Sequence, residues 1–392
     1  MIVGVLCFLL LPIAATSGWF MGRKESKEKP LPATRQLHHD YFRGLNYLID
    51  EQPDKAVDVF VKLIEVDNDT VELHLALGHL FRRRGEVDRA IRIHQSLIAR
   101  SQLEEAHRTQ ALIALGQDYL RAGVLDRAEK IFQGLLSKEG RTAELSLRFL
   151  LRIYEQEKDW QLAIETAKQL AELSPQSMRN IIPQYHCELA EQKAMRGEIE
   201  SAFKELESAQ KRNPNCIRAN LIKARLALQL KRYPEAIYSC QQVIEKDSDF
   251  ISEVVVTLCN SFQNLNEEKK LIDYLYECLK KFPRVSLILA VSNHLQRTEG
   301  NNKVAIDFVT EQIKREPSLL GLTHLAELYS INSRGDTKEK LLMLQNFMQQ
   351  LLADKPKYRC LHCGFSVKIL FWLCPSCHSW STIKPILGLE GG

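Results

Sequence analysis

Four cysteines close to the C-terminus carry the strongest chemical signal in this chain. Cys360 and Cys363 form one Cys-x-x-Cys pair, Cys374 and Cys377 a second, with ten residues between the pairs. Each pair can close a tight turn that aims two thiolates at one ion, and two such turns complete a tetrahedral sulfur site. Gly364 after the first pair and Pro375 inside the second suit the backbone kinks that such turns require. Two disulfides would use the same residues. The chain has ten cysteines, however, and the other six stand singly, a usage that fits a reducing compartment with buried thiols. Iron also accepts four thiolates. The base case for a closed, small tetrathiolate module is one structural ion, with zinc preferred over iron. His362 and His378 adjoin the cysteines, but four sulfurs already fill the shell, so both are read as bystanders or as donors around the ligands rather than as ligands.

A segment of this size cannot fold on apolar burial alone, which makes a metal staple physically reasonable. It also carries Phe365, Ile369, Leu370, Phe371, Trp372 and Trp380. That is more aromatic surface than a free ribbon can bury, so the module is expected to dock, most economically on the terminal repeats of its own chain.

The rest of the 392 residues must supply that surface. The chain is 45% hydrophobic and 26% charged with a net charge of only +4, so no strong nucleic-acid field is implied. No phosphate-binding glycine loop, H-E-x-x-H or G-x-S-x-G motif is present, which points away from an enzyme. Met1 to Gly22 contains no charged residue, and its length matches one bilayer crossing. A cleaved secretory signal would need positive charge before its apolar core, and only Met1 precedes it. Arg23, Lys24, Lys27 and Lys29 follow instead, which places the body and C-terminus in the cytoplasm behind an uncleaved single-pass anchor. Residues 23–35, with Pro30 and Pro32, read as a juxtamembrane linker.

From 36 to 354 the chain repeats. Ala56, Ala90, Ala128, Ala163, Ala202, Ala236, Leu271 and Ala305 recur at gaps of 34, 38, 35, 39, 34, 35 and 34 residues. That is the tetratricopeptide period. Twelve residues before these anchors stand Gly44, Gly78, Gly116, Leu151, Ala190, Ala224, Cys259 and Asn293. Twelve after, prolines appear as Pro175, Pro214, Pro283 and Pro317. About nine helix pairs are predicted, the last over roughly 319–331 and 337–353. The fold class is therefore all-α: a tetratricopeptide solenoid with an N-terminal transmembrane helix and a small zinc ribbon at 355–392. Cys187, Cys216, Cys240, Cys259 and Cys278 read as small packing residues. His74, Arg82, Arg83, Arg84, Arg89, Arg92 and His94 make the second repeat basic, either a solvated face or a docking surface for an acidic partner or for phosphate-bearing lipid headgroups.

Anchor, repeats containing Gly-Glu-Val-Asp-Arg-Ala-Ile-Arg-Ile-His-Gln (Gly85–Gln95), and the ending Lys-Pro-x-Tyr-Arg-Cys-x-x-Cys-Gly-Phe…Cys-Pro-Ser-Cys-x-x-Trp-Ser-Thr-Ile-Lys-Pro-Ile together resemble the lipopolysaccharide assembly protein B family of Gram-negative bacteria. The resemblance spans the chain, and 355–386 is its most specific part. It implies a rubredoxin-like fold for the tail, with Cys360, Cys363, Cys374 and Cys377 as structural metal ligands. It also implies a non-enzymatic inner-membrane adaptor that regulates lipopolysaccharide biosynthesis. In that family the adaptor promotes breakdown of the deacetylase of the lipid A pathway by a membrane-bound AAA+ protease of the FtsH type. Other lipopolysaccharide assembly proteins and lipopolysaccharide itself are further candidate partners. Self-association is left open, and no nucleic acid is expected. The competing reading is a membrane-tethered, rubredoxin-like iron protein that transfers electrons.

Overall fold

A computed structural model describes residues 42–44, 46–47, 50, 52, 55–60, 71–138, 140–299 and 302–389. The predicted anchor at 1–22, the linker at 23–35 and most of the first repeat lie outside them. Among the described residues no helix is long and apolar enough to cross a membrane. The chain divides into two compact units after Ile153.

The first unit contains α1 (Val71–Arg84), α2 (Val87–Ile98), α3 (Glu105–Ala122), α4 (Leu125–Leu135) and the larger part of α5 (Arg141–Glu157). Consecutive helices pack as antiparallel neighbours, and the turn chemistry explains why they stop. Gly123 sits at φ 75° after α3, with Val124 N–H bonded to Tyr119 O and Gly123 N–H to Leu120 O. That left-handed cap satisfies two carbonyls which the helix end would orphan.

The spacing of the repeat has a direct packing cause. At Ala56, Ala90 and Ala128 the residue twelve before the anchor faces the residue four after it. A Cβ built on Gly44 would stand 2.7 Å from the Phe60 ring, and one on Gly116 2.6 Å from Phe132. In the second repeat this partner is His94. It is fully buried, with Nδ1 against the Asp118 carboxylate, and the other oxygen of Asp118 accepts from Arg82 Nη1 at 2.7 Å. A Cβ on Gly78 would collide with His94 Nε2. Because Asp118 holds the imidazole, the ring cannot retreat. Gly78→Ala is expected to destabilise the protein by about 1–3 kcal/mol, the usual overpacking cost. Chemical denaturation checks this, and an unchanged midpoint would contradict it.

The basic second repeat is divided: Arg83, Arg84, Arg89 and Arg92 form an exposed charged face, one of the two readings the sequence offers, while the other three residues are built into the fold. His74 and His94 are core residues, and Arg82 is tied to Asp118. Arg84 and Arg89 both pair with Glu86. Periodicity places these residues on one repeat but does not reveal that the next repeat supplies a buried carboxylate.

The second unit continues with α6 (Trp160–Leu173), a one-turn α7 (Pro175–Met178), α8 (Ile182–Met195), α9 (Ile199–Arg212), α10 (Ile217–Gln229) and α11 (Tyr233–Lys246). A 3-10 turn at Ser248–Phe250 leads to α12 (Ile251–Asn264), α13 (Glu268–Lys281), α14 (Val285–Glu299), α15 (Asn302–Arg315), α16 (Leu319–Asn332) and α17 (Asp336–Ala353). The inserted α7 accounts for the long gap between Ala163 and Ala202. Helices α6, α9, α13 and α15 each end two residues before Pro175, Pro214, Pro283 and Pro317, as expected where the residue before proline is pushed out of helical geometry. A continuous apolar core runs from Ala224 to Leu328 through α10 to α16. The unit ends in a three-stranded antiparallel sheet of β1 (Tyr358–Cys360), β2 (Ser366–Val367) and β3 (Ile383–Pro385), ordered β2-β1-β3.

Candidate metal centre and its docking surface

The two cysteine turns are built alike. Cys360 O accepts from Gly364 N–H at 2.9 Å, and Cys360 N–H donates to Phe365 O at 2.8 Å. Fourteen residues on, Cys374 O accepts from His378 N–H at 2.9 Å, and Cys374 N–H donates to Ser379 O at 3.0 Å. Each turn closes on a residue in the left-handed region, Gly364 at φ 77° and His378 at φ 53°. The sheet brings the turns together, since β1 carries Cys360 and pairs with β3, with Cys360 opposite Ile383.

All four sulfurs lie within 4.8 Å of one another. Cys360 and Cys377 Sγ are 3.8 Å apart, Cys363 and Cys374 Sγ 3.7 Å. A tetrahedron with bonds of about 2.3 Å has edges of about 3.8 Å, so this donor set fits one tetrahedral ion and no covalent S–S bond. Burial works against ionisation of Cys360. Thr382 Oγ1, 3.2 Å away, and the backbone amides of Cys363 and His362 outweigh it and bring the thiol down to about 6. Thiolate is the ligand form, and these dipoles favour it at Cys360, whereas burial pushes the Cys374 thiol up to about 11. Neither His362 nor His378 is among the clustered ligand atoms. His378 pays a left-handed penalty that Gly364 avoids. His378→Gly is expected to keep full metal content and to stabilise the ribbon by up to about 1 kcal/mol. Loss of metal in that variant would instead make the imidazole a participant.

The ribbon does dock on its own chain, but mainly on the middle repeats. The indole of Trp380 meets Trp160 and Tyr185 edge-on, at centroid distances of 6.2 and 5.7 Å. Its Nε1–H donates to Glu155 Oε1 at 2.9 Å, and the Tyr185 hydroxyl donates to the same oxygen at 2.7 Å. Trp372 stacks on Phe250 at 5.7 Å, and the Arg218 guanidinium lies 5.7 Å from its ring centre. Arg218 is almost wholly buried, and burial opposes its charge. Glu188 at 2.8 Å and Glu191 at 2.7 Å outweigh that and hold it protonated. The Tyr358 hydroxyl donates to Glu253 at 2.7 Å, and burial with that carboxylate pushes its ionisation upward. Lys384 bridges Asp247 at 2.9 Å and Asp249 at 3.0 Å. Among the described residues, the Leu319 N–H to Leu389 O bond at 2.9 Å and the exposed Lys368–Asp354 pair at 3.4 Å reach the terminal repeats. The expected terminal location is corrected because the complementary groups stand in earlier repeats. Glu155, Arg218, Asp247, Phe250 and Glu253 carry no motif signature and become visible only once the ribbon is placed against them.

A groove of about 840 Å³ remains open beside the docked ribbon, where α12, α14 and α16 meet the end of α17. Val255, Leu289, Asn293, Arg297, Thr323 and His324 are among its walls.

The tail from 358 to 385 matches the family model described as "Rubredoxin metal binding domain". Tetratricopeptide models match 73–106, 113–177 and 191–249. Lipopolysaccharide assembly protein B from Escherichia coli K12 is 36% identical over 388 residues, covering 98% of this chain and 99% of that protein. The chain belongs to the lipopolysaccharide assembly protein B family. The Haemophilus influenzae member is 33% identical over 395 residues, with 98% and 99% covered. Among solved structures, a tetratricopeptide repeat protein from Parabacteroides merdae shares 13% identity at a TM-score of 0.37, covering 67% of this chain and 99% of that one. The family assignment thus agrees with a helical repeat array ending in a four-cysteine metal module.

Proposed function

We propose that this chain is a non-enzymatic, membrane-anchored adaptor in lipopolysaccharide biosynthesis. In this reading it presents the lipid A pathway deacetylase to a membrane-bound AAA+ protease of the FtsH type and so promotes its breakdown. The observation that carries the reading is the ribbon clamped across the middle repeats with a groove left open beside it, in a chain of this family. The aromatic and charged groups of the metal module are spent on holding the scaffold, which suits a structural zinc ion. The residues 1–22 would tether the array in the inner membrane with its body in the cytoplasm, and tethering raises effective concentration so that modest contacts suffice.

Deleting residues 1–22 is expected to lengthen the half-life of the deacetylase while leaving the helical content of the remainder intact. An unchanged half-life would remove the role given to the anchor. The same tetrathiolate donor set also accepts iron, which keeps electron transfer as the second reading. Metal analysis of protein purified without added metal separates the two. One zinc per chain without visible absorbance is expected, and stoichiometric iron with a reversible visible spectrum would favour the redox protein.

A further inference from the structure

The last helix of a solenoid normally turns a polar face outward, because no further repeat covers it. Helix α17 does the opposite. None of its 18 residues is buried. It packs on α16, and its half-buried row is Leu341, Gln345, Met348 and Leu352. A separate row, Lys340, Leu344, Phe347, Leu351 and Asp354, is exposed along its whole length. The spacings of this row are 4, 3, 4 and 3 residues, the seam that one helix offers to another. Leu344, Phe347 and Leu351 are 50%, 53% and 59% exposed, and Met343 beside them 58%.

The order of charges along the row identifies the occupant. Lys340 stands seven residues before Phe347 and Asp354 seven after it. We infer that this face of α17 binds the same face of a second copy of the chain, antiparallel, with Phe347 on the two-fold axis. Such an interface is isologous, so every contact occurs twice. Lys340 of each copy then lies opposite Asp354 of the other, and Met343 opposite Leu351. A parallel arrangement would set lysine on lysine and aspartate on aspartate, which like-charge repulsion disfavours. Within one chain Lys340 is bonded to Asp336 and Asp354 to Lys368, both in exposed pairs that cost little to exchange.

The test uses the full chain in a non-ionic detergent, with mass followed against concentration by light scattering and sedimentation. The expected result is a monomer–dimer equilibrium. Phe347→Asp should weaken it by about tenfold or more, because an isologous axis position places two carboxylates together. Lys340→Asp and Asp354→Lys should each weaken it several-fold, and the double exchange should return it to within about twofold of the parent, since the pairs are restored with reversed sign. Circular dichroism and metal content should be unchanged in every variant. A chain that stays monomeric at about 100 µM, a dimer indifferent to Phe347→Asp, or a double exchange without recovery would each overturn the assignment. Binding of a monomeric chain to anionic vesicles that Phe347→Asp abolishes would also overturn it and give the face to lipid.

Discussion

Replacing Cys360 or Cys377 by serine should release the ion, unfold the ribbon and free the tail from the repeats. The ribbon has little else to hold it. Its buried core consists of Cys360, Cys374 and Ile383, with Tyr358, Val367, Leu370 and Cys377 only partly covered. Its sheet has strands of three, two and three residues. Metal binding supplies on the order of 10 kcal/mol of folding free energy in modules of this size, which exceeds anything those few contacts provide. Losing one thiolate also leaves three ligands in the low-polarity site they were folded around. The docking groups follow, because Trp372 lies between the turns, while Tyr358, Trp380 and Lys384 flank them. The expected observations are loss of metal, rapid proteolysis within 355–389 and a shift of tryptophan emission toward that of water-exposed indole. The helical signal should persist, since the repeats keep their own core. Survival of protease resistance after chelation would show that the ion is not structural.

The metal centre was legible in the sequence because its determinants are local. Two short spacings specify both turns, and Gly364 and Pro375 mark where the backbone bends. The repeat array was legible for a related reason: one packing requirement recurs. Where the position twelve before the anchor is glycine, the position four after it is Phe60, His94 or Phe132. Where it grows to Ala190, the later position becomes Leu206, and all four of these later residues are fully buried. Complementary volume, more than residue identity, is what the period preserves. What the sequence did not disclose is long-range pairing. Asp118 is an ordinary helical acid until His94 is seen beside it, and Glu155 lies 225 residues from Trp380. No periodicity links such partners. The basic second repeat was legible only in part for the same reason: Arg83, Arg84, Arg89 and Arg92 are exposed, but Arg82 against the Asp118 carboxylate has the same sequence signature as a charge in water. The apolar outer row of α17 was equally hidden, since a terminal helix is predicted to be a cap and caps are polar.

Trp380→Ala separates docking from metal binding. The indole contributes two edge-to-face contacts, with Trp160 at 78° and Tyr185 at 85°, and a hydrogen bond to Glu155. Truncating a buried tryptophan costs about 3–5 kcal/mol. Trp380 is only half-buried, so the lower end of that range, about 3 kcal/mol, is the expected loss of docking free energy. The four thiolates are untouched. The backbone contacts around the second turn, Ser381 N–H to Trp372 O at 2.7 Å and the Leu373–Trp380 bridge, need no indole. The variant should therefore hold its ion at full stoichiometry while the segment 354–357 becomes cleavable and hydrogen exchange rises across the ribbon face. Glu155→Gln removes the charge but keeps an acceptor, so its own effect should be smaller. Combined with Trp380→Ala it should show a coupling of about 0.5–3 kcal/mol, as expected for groups in direct contact. Additive effects would mean that Glu155 serves Tyr185 and not the ribbon. Loss of metal together with docking would mean that ribbon and repeats fold as one cooperative unit, with the staple depending on the scaffold as much as the scaffold on the staple.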